Sequence, residues 1–145
     1  MHPYPHTYIV TATAAASGAV AVSSPRLPQL DTAPPAEFDG PGDLWSPETL
    51  LCAAVADCLI LTFRAVARAS KFEWLELSCR TEAVLERVEG VSRFTRYTSH
   101  ATLKLPPGAD AAKAKLLLEK SEHSCLVANS LLGERVLLTE ITHAA

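Results

Sequence analysis

From Leu50 to Phe63 the chain reads Leu-Leu-Cys-Ala-Ala-Val-Ala-Asp-Cys-Leu-Ile-Leu-Thr-Phe, with Asp57 its single charge. The three residues Ser46-Pro47-Glu48 form a helix start: a hydroxyl to cap, a proline tolerated in the first turn, and a carboxylate near the positive end of the dipole. The helix is expected to run to about Ala69. A surface helix carries one apolar stripe, whereas this one is apolar nearly all round and has to be enclosed on most sides. One small sheet does not supply that much cover, and any fold for this chain has to find the rest.

At 145 residues the chain is long enough for one domain, expected over 1–145, and too short for two ordinary ones. A net charge of -3 with scattered Lys and Arg leaves no basic stripe, so no nucleic acid partner is expected and small apolar ligands fit better. The apolar run Ile9 to Val22 lacks a basic flank and is interrupted by Thr, Ser and Gly, which argues against both a signal peptide and a membrane span. Four cysteines without dense spacing point to a reducing compartment, with the cytoplasm as the expected location. There is no CxxC pair, and the histidines do not fall at ligand spacing beside the cysteines, so no metal site is expected.

Tyr8 to Ala14 and Ala19 to Ser23 read as a hairpin around Ser17-Gly18. Ser24 to Trp45 contains five prolines and two glycines, excluding helix and central strand. A loop of that length is usually functional or laid over a partner. Beyond the helix, Trp74 to Val88 alternates, with Leu75, Leu77, Cys79, Ala83 and Leu85 on one face. Phe94 to Leu105 alternates again, with Tyr97, Ala101, Leu103 and Leu105 inward, giving a long hairpin through Val88-Glu89-Gly90-Val91. Ala109 to Glu122 has helical periodicity. Ser124 is expected to cap a short helix beginning at Cys125 and ending at Gly133, and Arg135 to His143 closes the chain as a strand. The order β-β-loop-α-β-β-α-α-β describes an α+β domain with an antiparallel β-sheet packed on a long central helix.

Free cysteines are commonly buried as small hydrophobes, and Cys79, inward on a strand, and Cys52 fit that description. Cys52 precedes Cys58 by six residues, about 9 Å along the axis and turned well away, so the two cannot be bridged without unwinding the helix. Taken alone, Cys58 and Cys125 read equally well as buried hydrophobes.

What distinguishes them is context. Ser46-Pro47-Glu48 opening an apolar helix with Cys58 ten residues after the glutamate, followed much later by Cys125 entering a short helix, resembles the OsmC/Ohr family of thiol-dependent peroxidases. The resemblance implies an OsmC-like fold assembled as an intertwined homodimer, with two central helices back to back. It also implies reduction of organic hydroperoxides to alcohols: Cys58 attacks the peroxide and becomes a sulfenic acid, and Cys125 resolves it as a disulfide. A dithiol reductant, either a dihydrolipoyl group or a small thiol, then reopens that disulfide. No metal, haem or flavin is required. The family pattern further gives Glu48 an arginine partner that stabilises the thiolate and lies before the helix, a role that passes here to Arg26, the one Lys or Arg before Arg64. Glu48 and Cys58 are separated by about 15 Å on one helix, so if both serve one site they come from different subunits. Cys125, entering a helix, is expected to have a lowered pKa. A different class of function fits the same scaffold: a non-catalytic OsmC-like dimer that binds an apolar small molecule or senses redox state. Asp57, a carboxylate beside Cys58, favours that alternative.

Overall fold

A computed structural model describes residues 1–145 in full. The chain divides into two compact units, Met1–Leu51 and Cys52–Ala145.

The first unit is built on a three-stranded antiparallel meander of β1 (Thr11–Thr13), β2 (Val20–Ser23) and β3 (Leu30–Thr32). The expected hairpin is present, with a first strand shorter than its alternation suggested. β3 lies inside the proline-rich stretch between Pro28 and Pro34, pairing along its length with β2 and, through Thr32, making an isolated parallel bridge to Trp45. That stretch also holds one turn of 3-10 helix, Ala36–Phe38, so the expectation of no helix there is corrected: Pro35 precedes the turn and offers its carbonyl to Phe38 N–H at 3.0 Å. The chain then reaches Ser46, which is 1% exposed and caps the long helix α1 (Pro47–Ala69). Thr49 N–H donates to Ser46 Oγ at 3.1 Å and Ser46 N–H donates to Thr49 Oγ1 at 2.9 Å, so two otherwise orphaned donors are satisfied reciprocally.

In the second unit β4 (Glu76–Val88) and β5 (Val91–Leu105) form the long antiparallel hairpin, turned by Glu89 and Gly90 at φ 52° and 82°. Two consecutive positive φ values make a type I′ turn, whose twist matches the strands and whose second position suits glycine. A register shift between Val84 and Leu85 interrupts the ladder, and Leu85 is 38% exposed; Leu75 falls before the strand. Neither joins the inward face that their alternation suggested. α2 (Ala111–Ser124) follows, capped by Asp110, whose Oδ1 accepts from Lys113 N–H at 3.0 Å; then come α3 (Leu126–Asn129) and β6 (Glu134–His143). β6 pairs parallel to β5, so this sheet, ordered β4-β5-β6, is mixed rather than antiparallel. The helices between β5 and β6 form the crossover that a parallel return needs.

Leu59, Phe63 and Ala67 of α1, Leu77, Ala101, Leu103 and Leu105 of the sheet, and Ala114, Leu117 and Leu118 of α2 make one core. Phe63 is fully buried, edge-on to Trp74 at 5.3 Å between ring centroids. Gly133 does not end α3. It lies in the turn entering β6 at φ 115°, where a Cβ would stand 2.9 Å from the Thr95 carbonyl oxygen. Only glycine lets β6 begin this close to β5. Phe63→Ala should cost about 3–5 kcal/mol through the cavity it leaves, measurable as a lowered urea midpoint with an unchanged m-value.

Candidate active site

Cys58 is half-buried on α1, its sulfur 3.9 Å from Thr62 Oγ1 one turn on. Cys125 is 2% exposed at the bend between α2 and α3, with φ -66° and ψ 105°. All four cysteines are free thiols. The Cys125 thiol is held well above its ordinary value near 9, at about 11. Burial is the main cause, and the neighbouring Cys58 thiol adds to it. The structure therefore brings together the two cysteines that sequence spacing could not pair.

The expected environment of Cys125 needs correction. Ser124 is the last residue of α2, and Cys125 itself stands at the N-cap of α3 without a side-chain cap bond. A four-residue helix offers little dipole, and loss of water outweighs it, so the thiol is raised rather than lowered.

Sequence reading missed the group beside it. Arg135, on the core-facing side of β6 opposite Tyr97, donates from Nε to Glu122 Oε1 at 2.6 Å, from Nη2 to the Glu122 carbonyl at 2.5 Å, and from Nη1 to Asn129 Oδ1 at 2.7 Å. Glu122 and Arg135 lie thirteen residues apart, and their only trace in the sequence is an arginine just ahead of the apolar run Val136-Leu137-Leu138.

These groups border a narrow cleft formed by Val55, Leu59, Tyr97, Ser99, Ala128 and Val136 together with Cys125, Glu122 and Arg135. Its water-accessible volume is about 10 Å³, room for roughly one water. Phe63 belongs to the core and does not border this cleft. Phe38, Leu44 and Trp45 of the first unit are 55%, 41% and 48% exposed.

Glu48 and Arg26 are not joined. Glu48 is half-buried, and its Oε2 is buried without a hydrogen-bond partner. Arg26 is exposed at φ 66° and makes no ion pair within the chain. Asp57 is exposed and likewise unpaired. Cys52 and Cys79 are half-buried, both pushed up chiefly by burial; Cys79 also hydrogen-bonds Thr81 and Ser99.

The model of the OsmC-like protein family matches residues 40–140. The chain belongs to the OsmC-like family. It is 30% identical over 109 residues to the uncharacterised protein YmaD of Bacillus subtilis, a match spanning 73% of each chain. Among solved structures, the organic hydroperoxide resistance protein OsmC of Legionella pneumophila is 26% identical. It aligns over 97% of this chain and 99% of its own at a TM-score of 0.75. An organic hydroperoxide resistance protein of Elizabethkingia anophelis, 20% identical, shares the fold at a TM-score of 0.78 over 99% and 100% of the two chains. The OsmC-like fold expected from the sequence is the one observed.

The raised Cys125 thiol ties stability to pH. The unfolded chain gives up this proton near pH 9 and the folded chain only near 11, so the stabilisation is complete below about 9 and is lost as pH rises through 11. The urea midpoint should fall over that range. Cys125→Ala should flatten the fall, leaving the part due to Cys52 and Cys79, whose shifts have the same sign.

Proposed function

We infer that this OsmC-like protein is a cysteine-based organic hydroperoxide reductase. The observation that carries the reading is that Cys58 and Cys125 are neighbours within one chain, both free, with Cys125 lining a mostly apolar cleft. In this reading the Cys58 thiolate attacks the outer peroxide oxygen, the O–O bond breaks, the alkoxide leaves as alcohol after taking a proton, and Cys58 is oxidised to the sulfenic acid. Cys125 then condenses with it, giving the disulfide and water. A dithiol, a dihydrolipoyl group or a small thiol, restores both thiols by exchange. The family relationship supports a hydroperoxide-resistance or redox role of this kind. In this reading the protein works in the cytoplasm and its thiols need no metal or organic cofactor.

The working unit in this reading is a homodimer. Only 22% of the most apolar window of α1 is buried within one chain, and Leu61 is 50% exposed. The helix has the length and composition of a membrane span, yet Val55, Leu59, Phe63 and Ala67 make it a core helix on one side. A second copy covers the other side. The family match runs across Leu51, in keeping with one functional domain over 1–145. Sedimentation at micromolar concentration should then show dimer and no folded monomer.

Glu48 and Arg26 complete the site as a charge pair supporting the Cys58 thiolate. The unpartnered Glu48 oxygen supports its half of that assignment, and Arg26 rests on the family pattern. Glu48→Gln and Arg26→Ala should each slow Cys58 alkylation by iodoacetamide at neutral pH, and the double variant should be no slower than either, because the pair acts as one unit. An unmoved rate in Arg26→Ala alone would transfer the role to another cation.

With one equivalent of cumene hydroperoxide, Cys58→Ser should consume no peroxide. Cys125→Ser should complete one oxidation and stall as sulfenic or sulfinic acid at Cys58, read by mass spectrometry. Equal loss of activity in folded Cys52→Ser and Cys58→Ser would sink the assignment. Unchanged peroxide levels with wild-type protein and dithiothreitol would favour a non-catalytic binding protein on the same scaffold.

A further inference from the structure

The bend that carries Cys125 has little of its own to hold it. α3 is four residues long, the Cys125 side chain caps nothing, and the local backbone bonds are Cys125 N–H to the Glu122 carbonyl at 3.2 Å and Asn129 N–H to the Cys125 carbonyl at 2.9 Å. What spans the bend is the Arg135 guanidinium. Its three acceptors belong to Glu122 before the cysteine and Asn129 after it, and Asn129 Nδ2 donates in turn to the His123 carbonyl at 3.2 Å. One planar fork from β6 thus bridges both sides of Cys125, a task for which a lysine lacks the geometry.

The setting separates this pair from the other Lys and Arg ion pairs of the chain. The side chains of Arg135 and Glu122 are 24% and 20% exposed, whereas Arg80–Glu82, Arg96–Glu134 and Lys115–Glu119 are each about half exposed or more. A sheltered guanidinium that gives Nε to the Glu122 carboxylate, Nη2 to the Glu122 carbonyl and Nη1 to Asn129 fixes geometry in a way that solvated pairs do not. Its charge is matched by Glu122, and Arg135 is not among the groups that act on the Cys125 proton. Its effect on chemistry is therefore one of placement.

We propose that Arg135, acting through Glu122 and Asn129, is the positioning residue of the Cys125 thiol: it holds the α2–α3 bend in the conformation from which Cys125 reaches Cys58, and so sets the rate of disulfide formation. The proposal rests on the peroxidase reading for its reaction. In that step the Cys125 sulfur attacks the sulfenic sulfur of Cys58, the S–S bond forms and the S–O bond breaks. The hydroxide leaves with the Cys125 proton as water, Cys125 is oxidised as Cys58 is reduced, and no outside electron carrier enters.

Time-resolved mass spectrometry with dimedone trapping, after one equivalent of cumene hydroperoxide, separates the two steps in wild type, Arg135→Met, Arg135→Lys and Glu122→Gln. Formation of the Cys58 sulfenic acid should keep its wild-type rate within about twofold in every variant. Disulfide formation should slow by about tenfold or more in Arg135→Met, since small misplacements of reacting groups cost that much, and by less in Arg135→Lys and Glu122→Gln. Hyperoxidised Cys58 should accumulate in the same order under excess peroxide. An unchanged disulfide rate in folded Arg135→Met, or equal slowing of both steps, would overturn the proposal; if Arg135→Met fails to fold, Glu122→Gln decides by the same criteria. Diamide oxidation, which forms the disulfide without peroxide, keeps the two readings apart. Wild type that pairs its thiols with diamide but forms no sulfenic acid ends the peroxidase reading, while a slower diamide reaction in the variants still upholds the placement role.

Discussion

Everything in this molecule is arranged around an apolar helix that a single chain covers on one side. Val55, Leu59, Phe63 and Ala67 fall four residues apart, so they form one buried stripe, with Ile60 and Val66 partly buried against the core beside it. The remaining circumference presents Leu61 and several alanines. A side chain of leucine size left in water forfeits about 1.5–3 kcal/mol of transfer free energy relative to burial, and the homodimer proposed above would recover it. Cys58 sits on the same helix, and the enclosure that stabilises the fold also sets how much solvent reaches the thiol.

Burial and reactivity pull against each other at the second cysteine. Desolvation keeps Cys125 protonated near neutral pH, which makes it a poor first nucleophile toward peroxide. Under the proposed reading, in which Cys125 is the resolving thiol, that is useful, because a group that stays protonated until an electrophilic sulfur appears beside it is not consumed by oxidants on its own.

Much of the fold was legible because its signals are local. Ser46-Pro47-Glu48 announced the helix start, Glu89-Gly90 the hairpin turn, and the inward alternation of Tyr97, Ala101, Leu103 and Leu105 the core face of β5. What escaped is non-local. No sequence pattern says whether β6 returns parallel or antiparallel to β5, and alternation cannot locate a register shift such as the one that left Leu85 exposed. The site divides in the same way: Cys58 and Cys125 stood out through spacing and family resemblance, whereas the direction of the Cys125 shift depends on surrounding atoms that only the fold supplies. Arg135 was invisible because its partners lie on a different element, brought opposite by the crossover.

Gly133 gives this arrangement a parity. Side chains alternate across a strand, so the point at which β6 joins β5 decides which residues look inward. With the strand beginning tight against the Thr95 carbonyl, Arg135, Leu137 and Ile141 share the inner side with Tyr97. A slip of β6 by one residue against β5 would turn that set over, sending the guanidinium to the solvent side and its neighbours inward. The close approach at Gly133 thus pins the cation and the cysteine to the same side of the sheet.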